Sequence, residues 1–223
     1  MARDTARGRD WRCDRAVGAV APAALTPLES ALRAIAAGLD RRELRWALVG
    51  GLAVSARAEP RTTRDVDVAV AASDDAAAEA LIFSLGAEGW EIAAAVEQDA
   101  VGRLATIRLR PPFDRRTRGV VVDVLFASSG IEPEVAREAE RIEVLPGLVV
   151  PVARLGHLIA MKILSRDDRT RARDAEDLRG LLAEASDADL ALARGALGRI
   201  SALGFHRGKD LPAEMRRALA ELR

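Results

Sequence analysis

The chain has 223 residues, enough for one domain or for a domain with a helical extension, and about half of them are hydrophobic, so a sizeable core is available. Its 34 basic and 34 acidic residues cancel, which excludes a global electrostatic pull toward nucleic acid or a membrane surface and leaves such contacts to a local patch. The lone Cys13 excludes an intrachain disulfide and a cysteine zinc cluster, no apolar run approaches a membrane span, and the Arg- and Asp-rich start lacks the apolar stretch of a secretory signal, so a cytoplasmic protein is expected. Almost all the positive charge is arginine, which makes the two lysines, Lys162 and Lys209, informative.

Residues 1–25 lack periodicity and read as a flexible tail. The alternative is a basic arm that touches RNA, although three aspartates dilute its five arginines. Thr26-Pro27-Leu28-Glu29 carries the signals of a helix start, with a capping box, and Leu28, Leu32, Ile35 and Leu39 follow at helical spacing to about Arg41. Trp46–Val49 is an apolar strand that enters a Gly50-Gly51 turn, and a short helix over Leu52–Glu59 is stopped by Pro60. Arg61–Arg64 is a loop before a strand over Asp65–Val70. Ser73-Asp74-Asp75 caps a helix from Ala76 to about Leu85. Trp90–Val96, Leu104–Leu109 and Val120–Phe126 read as strands, Glu134–Glu140 as a short helix, and Ile142–Leu145 with Leu148–Val152 as a hairpin around Pro146-Gly147. Helical patterns then cover Leu155–Leu164, Ala172–Ala185, Asp187–Ile200 and Ala213–Leu222. The expected organisation is a tail (1–25), an α/β (α+β) core (26–152) and a helical lobe (153–223).

Three aspartates stand out. Asp65 and Asp67 lie two apart on one strand and so face the same way, while Asp123 sits at the centre of the apolar VVVDVLF run, where a charge needs a partner. A divalent cation meets both requirements, because magnesium takes oxygen ligands from a few carboxylates and substrate phosphates, and paired ions promote in-line displacement. The bland alternatives are a solvated strand end for Asp65 and Asp67 and a buried ion pair with an arginine for Asp123. Gly50 and Gly51 let a backbone approach an anion at a helix N-terminus. A P-loop is excluded, since GxxxxGK followed by Ser or Thr is absent; the nearest imitation, Gly204–Asp210, has the wrong spacing.

A glycine pair, thirteen residues, Asp-x-Asp and a later strand aspartate resemble the polymerase-β-type nucleotidyltransferase superfamily. More narrowly, VGGLAVSARAEPRTTRDVDVAV resembles the AbiEii group, toxin partners of type IV toxin–antitoxin systems, through Arg61, Thr63, Asp65 and Asp67. The helical half continues the resemblance through Lys162, Arg173, Asp174, Asp177 and Leu178. It implies a mixed sheet with flanking helices, magnesium (or manganese) on Asp65, Asp67 and Asp123, and an NTP substrate. Gly50, Gly51, Arg61, Thr63 and Lys162 would line the triphosphate, and Asp174 would complete the site. It further implies an RNA acceptor, the tRNA 3′ end, and a cognate antitoxin. One departure is Leu52, where many superfamily members carry a phosphate-contacting serine; Ser55 lies three residues on.

Other residues are less telling. Arg57, Arg61, Arg64 and the Arg115/Arg116/Arg118 cluster are candidates for an acceptor groove, or form a solvated face. Lys162 alternatively snorkels at a helix edge, and Asp177 alternatively serves the dipole of a first helical turn. His157 and His206 lack a histidine or cysteine at ligand spacing and read as structural. The competing functions are a small-molecule (aminoglycoside-type) nucleotidyltransferase, a protein-modifying one, and a catalytically inactive nucleotide-binding or antitoxin-like module.

Overall fold

The computed structural model describes residues 25–98, 101–112, 119–166 and 172–222. The tail, all but Leu25, and the Arg115/Arg116/Arg118 cluster lie outside the described residues. Helix α1 (Pro27–Asp40) starts at Thr26, whose Oγ1 accepts from the Glu29 N–H at 3.2 Å. The expected reciprocal half of the capping box is missing, because the Glu29 carboxylate accepts from Arg33 instead. Strand β1 (Trp46–Val49) runs straight into α2 (Gly50–Arg57), so the glycine pair is the first turn of that helix and not a separate turn before it. Gly50 makes this possible with φ +63°, a left-handed backbone natural to glycine.

Five strands and two helices follow in the order β2 (Asp65–Val70), α3 (Asp75–Ala87), β3 (Glu91–Gln98), β4 (Arg103–Arg110), β5 (Val121–Leu125), α4 (Glu132–Arg137) and β6 (Glu140–Leu145). Next come β7 (Leu148–Val152), α5 (Leu155–Ser165), α6 (Ala172–Glu184), α7 (Asp187–Ala202) and α8 (Leu211–Ala220). Asp74 caps α3 by accepting from Ala77. Helix α8 begins two residues before the expected Ala213 because Asp210 caps it and Pro212 fits its first turn.

The strands form one mixed sheet in the order β3-β4-β5-β2-β1-β7-β6. β2 is parallel to β5 and antiparallel to β1, and β4 is antiparallel to β5. Alternation of side chains turns this register into two unlike faces. Val66, Val68, Val122, Val124, Ile107 and Leu109 make one face, all within the core, and α1 packs on β2 and β5 while α3 packs on β4. The other face carries Asp65, Asp67, Asp123 and Arg108. It is partly roofed by α2, α5 and α6, which pack on one another.

Candidate active site

Sheet register assembles the carboxylates. Asp67 and Asp123 are direct partners across β2 and β5, Asp65 is one row further along the same face, and Arg108 is the partner of Asp123 across β4 and β5. The Arg108 guanidinium forks onto the Asp123 carboxylate, with Nε to Oδ1 at 2.8 Å and Nη2 to Oδ2 at 2.7 Å. That bond raises the Arg108 pKa further above an already high value. The arginine partner considered for Asp123 is therefore real, and Arg108 is a site residue that sequence reasoning missed.

Asp67 is in a different condition. Burial pushes its carboxyl from an ordinary 3.8 up to about 6; Asp123 and Asp65 push the same way, against Lys162 and a hydrogen bond from the Gly51 N–H. The carboxylate also explains Gly50, where a Cβ would fall 2.0 Å from Asp67 Oδ2. A Cβ on Gly51 would meet Arg61 Nη2 at 2.7 Å and Thr63 Oγ1 at 2.8 Å. Both glycines thus make room for protein side chains, and the Gly51 amide, expected to be open to phosphate, lies on the Asp67 side, where it favours the ionised carboxylate.

The facing wall comes from α5 and α6. Lys162 Nζ contacts Asp174 Oδ1 at 2.8 Å and Asp177 Oδ2 at 2.7 Å, and Arg61 Nη2 donates to Asp177 Oδ2 at 2.8 Å. Ser165 Oγ donates to Asp174 Oδ2 at 3.3 Å. Lys162 is thus no snorkelling lysine, and Asp177, 3% exposed, is no solvated acid of a first helical turn.

These groups line one cavity of about 750 Å³ that takes in Gly50, Gly51, Arg61, Thr63, Asp65, Asp67, Asp123, Lys162 and Asp174. Every sequence-named site residue is therefore brought to one place, and Arg64, Arg108, Arg173 and Arg207 join them. Other candidates fall elsewhere. Arg57 donates to the carbonyls of Val152 and Ala153 and to Glu140, fastening α2 to β7. Ser55 Oγ bonds the backbone of Gly51 and Arg61 and so does not replace the missing serine at Leu52.

Both histidines hold structure together. His157, fully buried, pairs Nε2 with Glu134 Oε1 at 2.9 Å, and Glu134 also accepts from Arg199, linking α4, α5 and α7. Burial pushes the Glu134 carboxyl up, but these two donors outweigh it and hold it below its ordinary range. Glu134, Glu138 and His157 lie close enough to share a cation, yet Arg199 and Arg154 already answer the two carboxylates. His206 Nδ1 accepts from the Gly208 N–H within its own loop.

The sequence model described as nucleotidyl transferase AbiEii toxin, type IV toxin–antitoxin system, matches residues 31–222. No curated protein sequence matches the chain at a significant level. Among solved structures, the antibiotic-resistance factor ANT(2'')-Ia is 18% identical and superposes with a TM-score of 0.50 over 79% of this chain and 95% of its own. The lincosamide antibiotic adenylyltransferase LnuA is 12% identical, covering 70% of this chain and 98% of its own, with a TM-score of 0.45. JHP933 from Helicobacter pylori is 18% identical over 87% and 91%, with a TM-score of 0.43. The likeness to ANT(2'')-Ia is one of fold, whereas the family match spans nearly all the described chain. The protein accordingly belongs to the AbiEii nucleotidyltransferase toxin family of type IV toxin–antitoxin systems.

Proposed function

We propose that the protein transfers a nucleoside monophosphate from an NTP to the 3′ hydroxyl of an RNA, with tRNA as the acceptor and magnesium, or manganese in its place, as the metal. The observation that carries this reading is the row of Asp65, Asp67 and Asp123 on one sheet face, closed in by Gly50. The donor set fits the ion: three carboxylates offer hard oxygen ligands, and the burial and neighbouring carboxylates that raise the Asp67 pKa are what a divalent cation offsets. When bound, magnesium would activate the attacking oxygen and neutralise charge on the leaving pyrophosphate.

The chain's own residues would do the rest. Lys162 and Arg61 supply positive charge for the triphosphate at the N-terminal end of α2, and Thr63 lines the same corner. Asp174 and Asp177 hold Lys162 in place. Asp123 either shares a second ion or accepts the acceptor's proton, and in both cases Arg108 must give it up and turn to phosphate. On this account the core (26–152) brings the carboxylates and the helical lobe (153–223) brings the lysine wall.

The cavity lining favours an anionic acceptor. Arg61, Arg64, Arg108, Lys162, Arg173 and Arg207 face Asp65, Asp67, Asp123 and Asp174, a poor setting for a polycationic aminoglycoside and a good one for RNA phosphates. Action on tRNA places the protein in the cytoplasm beside a cognate antitoxin. Among the described residues no helix is long and apolar enough to cross a membrane. The test is to incubate the protein with each α-labelled NTP, magnesium and total tRNA and to resolve the products on a gel. Label should appear on tRNA with the wild type and be absent with Asp67→Asn. Transfer to an aminoglycoside or a protein in place of tRNA would overturn the acceptor, and transfer to none of them would overturn the enzyme.

A further inference from the structure

One part of the cavity wall is explained neither by the carboxylates nor by Lys162. It is the loop between α7 and α8, the segment whose glycines and lysine imitate a phosphate-binding loop at the wrong spacing. The loop is anchored on two sides. Phe205, 7% exposed, fills the space beside Gly130, where a Cβ would come within 2.6 Å of its ring. Lys209 Nζ donates to the carbonyls of Leu164 at 2.7 Å and Arg166 at 2.6 Å, tying the loop to the C-terminal end of α5, the helix that bears Lys162.

Between these anchors stands Arg207 with φ +53°, a left-handed backbone that glycine adopts freely and a long side chain rarely does. Gly204 and Gly208 nearby have the same sign of φ, so an arginine at 207 is the exception within its own loop. Its Nη2 donates to the Ser128 carbonyl at 2.9 Å and to Ser128 Oγ at 3.1 Å, which sets the guanidinium on the cavity wall. The receiving segment is itself fixed, since Ser129 donates through N and Oγ to the fully buried Glu132. A disfavoured backbone maintained by surrounding anchors is found chiefly where a side chain must be aimed.

We propose that Arg207 is a phosphate-binding residue of this cavity, aimed by the α7–α8 loop at a phosphate of the nucleotide or of the acceptor. The proposal rests on the nucleotidyl-transfer reading. The guanidinium offers a planar fork to phosphate oxygens, and the Ser128 hydroxyl beside it, whose oxygen accepts from Arg207, has a proton to give the same group.

Arg207→Gly separates binding from structure, because glycine relaxes the backbone while removing the fork. The melting temperature should hold or rise. Affinity is then measured in two arms, a fluorescent ATP or CTP with magnesium and fluorescently labelled total tRNA. A loss of about tenfold in the nucleotide arm assigns the phosphate to the NTP, and the same loss in the tRNA arm alone assigns it to the acceptor. Wild-type affinity in both arms overturns the proposal. Should the glycine variant unfold, Arg207→Lys keeps the charge without the fork and is read in the same two arms, where weakening supports the proposal and no change overturns it. A wild type that binds neither probe fails the nucleotidyl-transfer reading itself and takes this inference with it.

Discussion

The two walls of the cavity hold similar charges in opposite conditions. On the helical wall Lys162 and Arg61 are matched by Asp174 and Asp177 at hydrogen-bond distances. On the sheet wall three carboxylates share one arginine among the described residues, and burial, with Asp123 and Asp65 beside it, pushes the Asp67 carboxyl up to about 6. Among the described residues the helical wall pairs its charges, and the sheet wall carries more carboxylates than cationic partners, which is where the proposed metal would sit. The contrast marks where a ligand would supply charge and where the fold already has it.

The largest effect is expected from Asp67→Asn on the sheet wall. It should lower nucleotidyl transfer by roughly three orders of magnitude, since it removes a proposed metal ligand from the wall richer in carboxylates. The same substitution should stabilise the metal-free protein. A carboxyl whose folded pKa lies above its unfolded value opposes folding as it ionises: the cost is absent below about 3.8, grows between 3.8 and about 6, and is complete above that. The gap in unfolding free energy between variant and wild type should therefore open as pH rises through this window, to on the order of 3 kcal/mol at pH 7.5.

Gly50→Ala attacks the same wall by steric means. A Cβ 2.0 Å from Asp67 Oδ2, at φ +63°, must displace the carboxylate, and transfer should fall about a hundredfold in steady-state assays. Asp177→Asn instead unbalances the helical wall. It leaves Arg61 and Lys162 with one carboxylate fewer at a position that is itself 3% exposed, and should cost on the order of 2–3 kcal/mol in denaturant unfolding. The smallest effect is expected from Arg108→Ala. By removing the guanidinium that competes for Asp123, it should lower the magnesium concentration for half-maximal thermal stabilisation by about threefold.

Much of this was legible in the residues themselves. The apolar WALV run and the alternating DVDVAV gave β1 and β2 their observed bounds, and the single charge in VVVDVLF marked Asp123 before any neighbour was known. What escaped was whatever depends on register between distant strands. Arg108 in RLATIRLR looks like an arginine on a solvated strand, as its neighbour Arg110 is, and only the pairing of β4 with β5 sets it on Asp123. The glycine pair marks a place of close approach, but the approaching groups are Asp67, Arg61 and Thr63, which are distant in sequence or follow a loop and so leave no local signal at the turn. Asp177 reads as an ordinary acid near a helix start until α2 and α6 pack and bring Arg61 to it.

We propose that the sheet wall binds its cation through Asp67. The most direct test is a magnesium titration followed by thermal unfolding at pH 7.5, with wild type and Asp67→Asn side by side. The variant should start at the higher melting temperature and not respond, while the wild type should rise by several degrees as magnesium is added. A wild type indifferent to magnesium, or a variant that responds equally, would contradict the proposal.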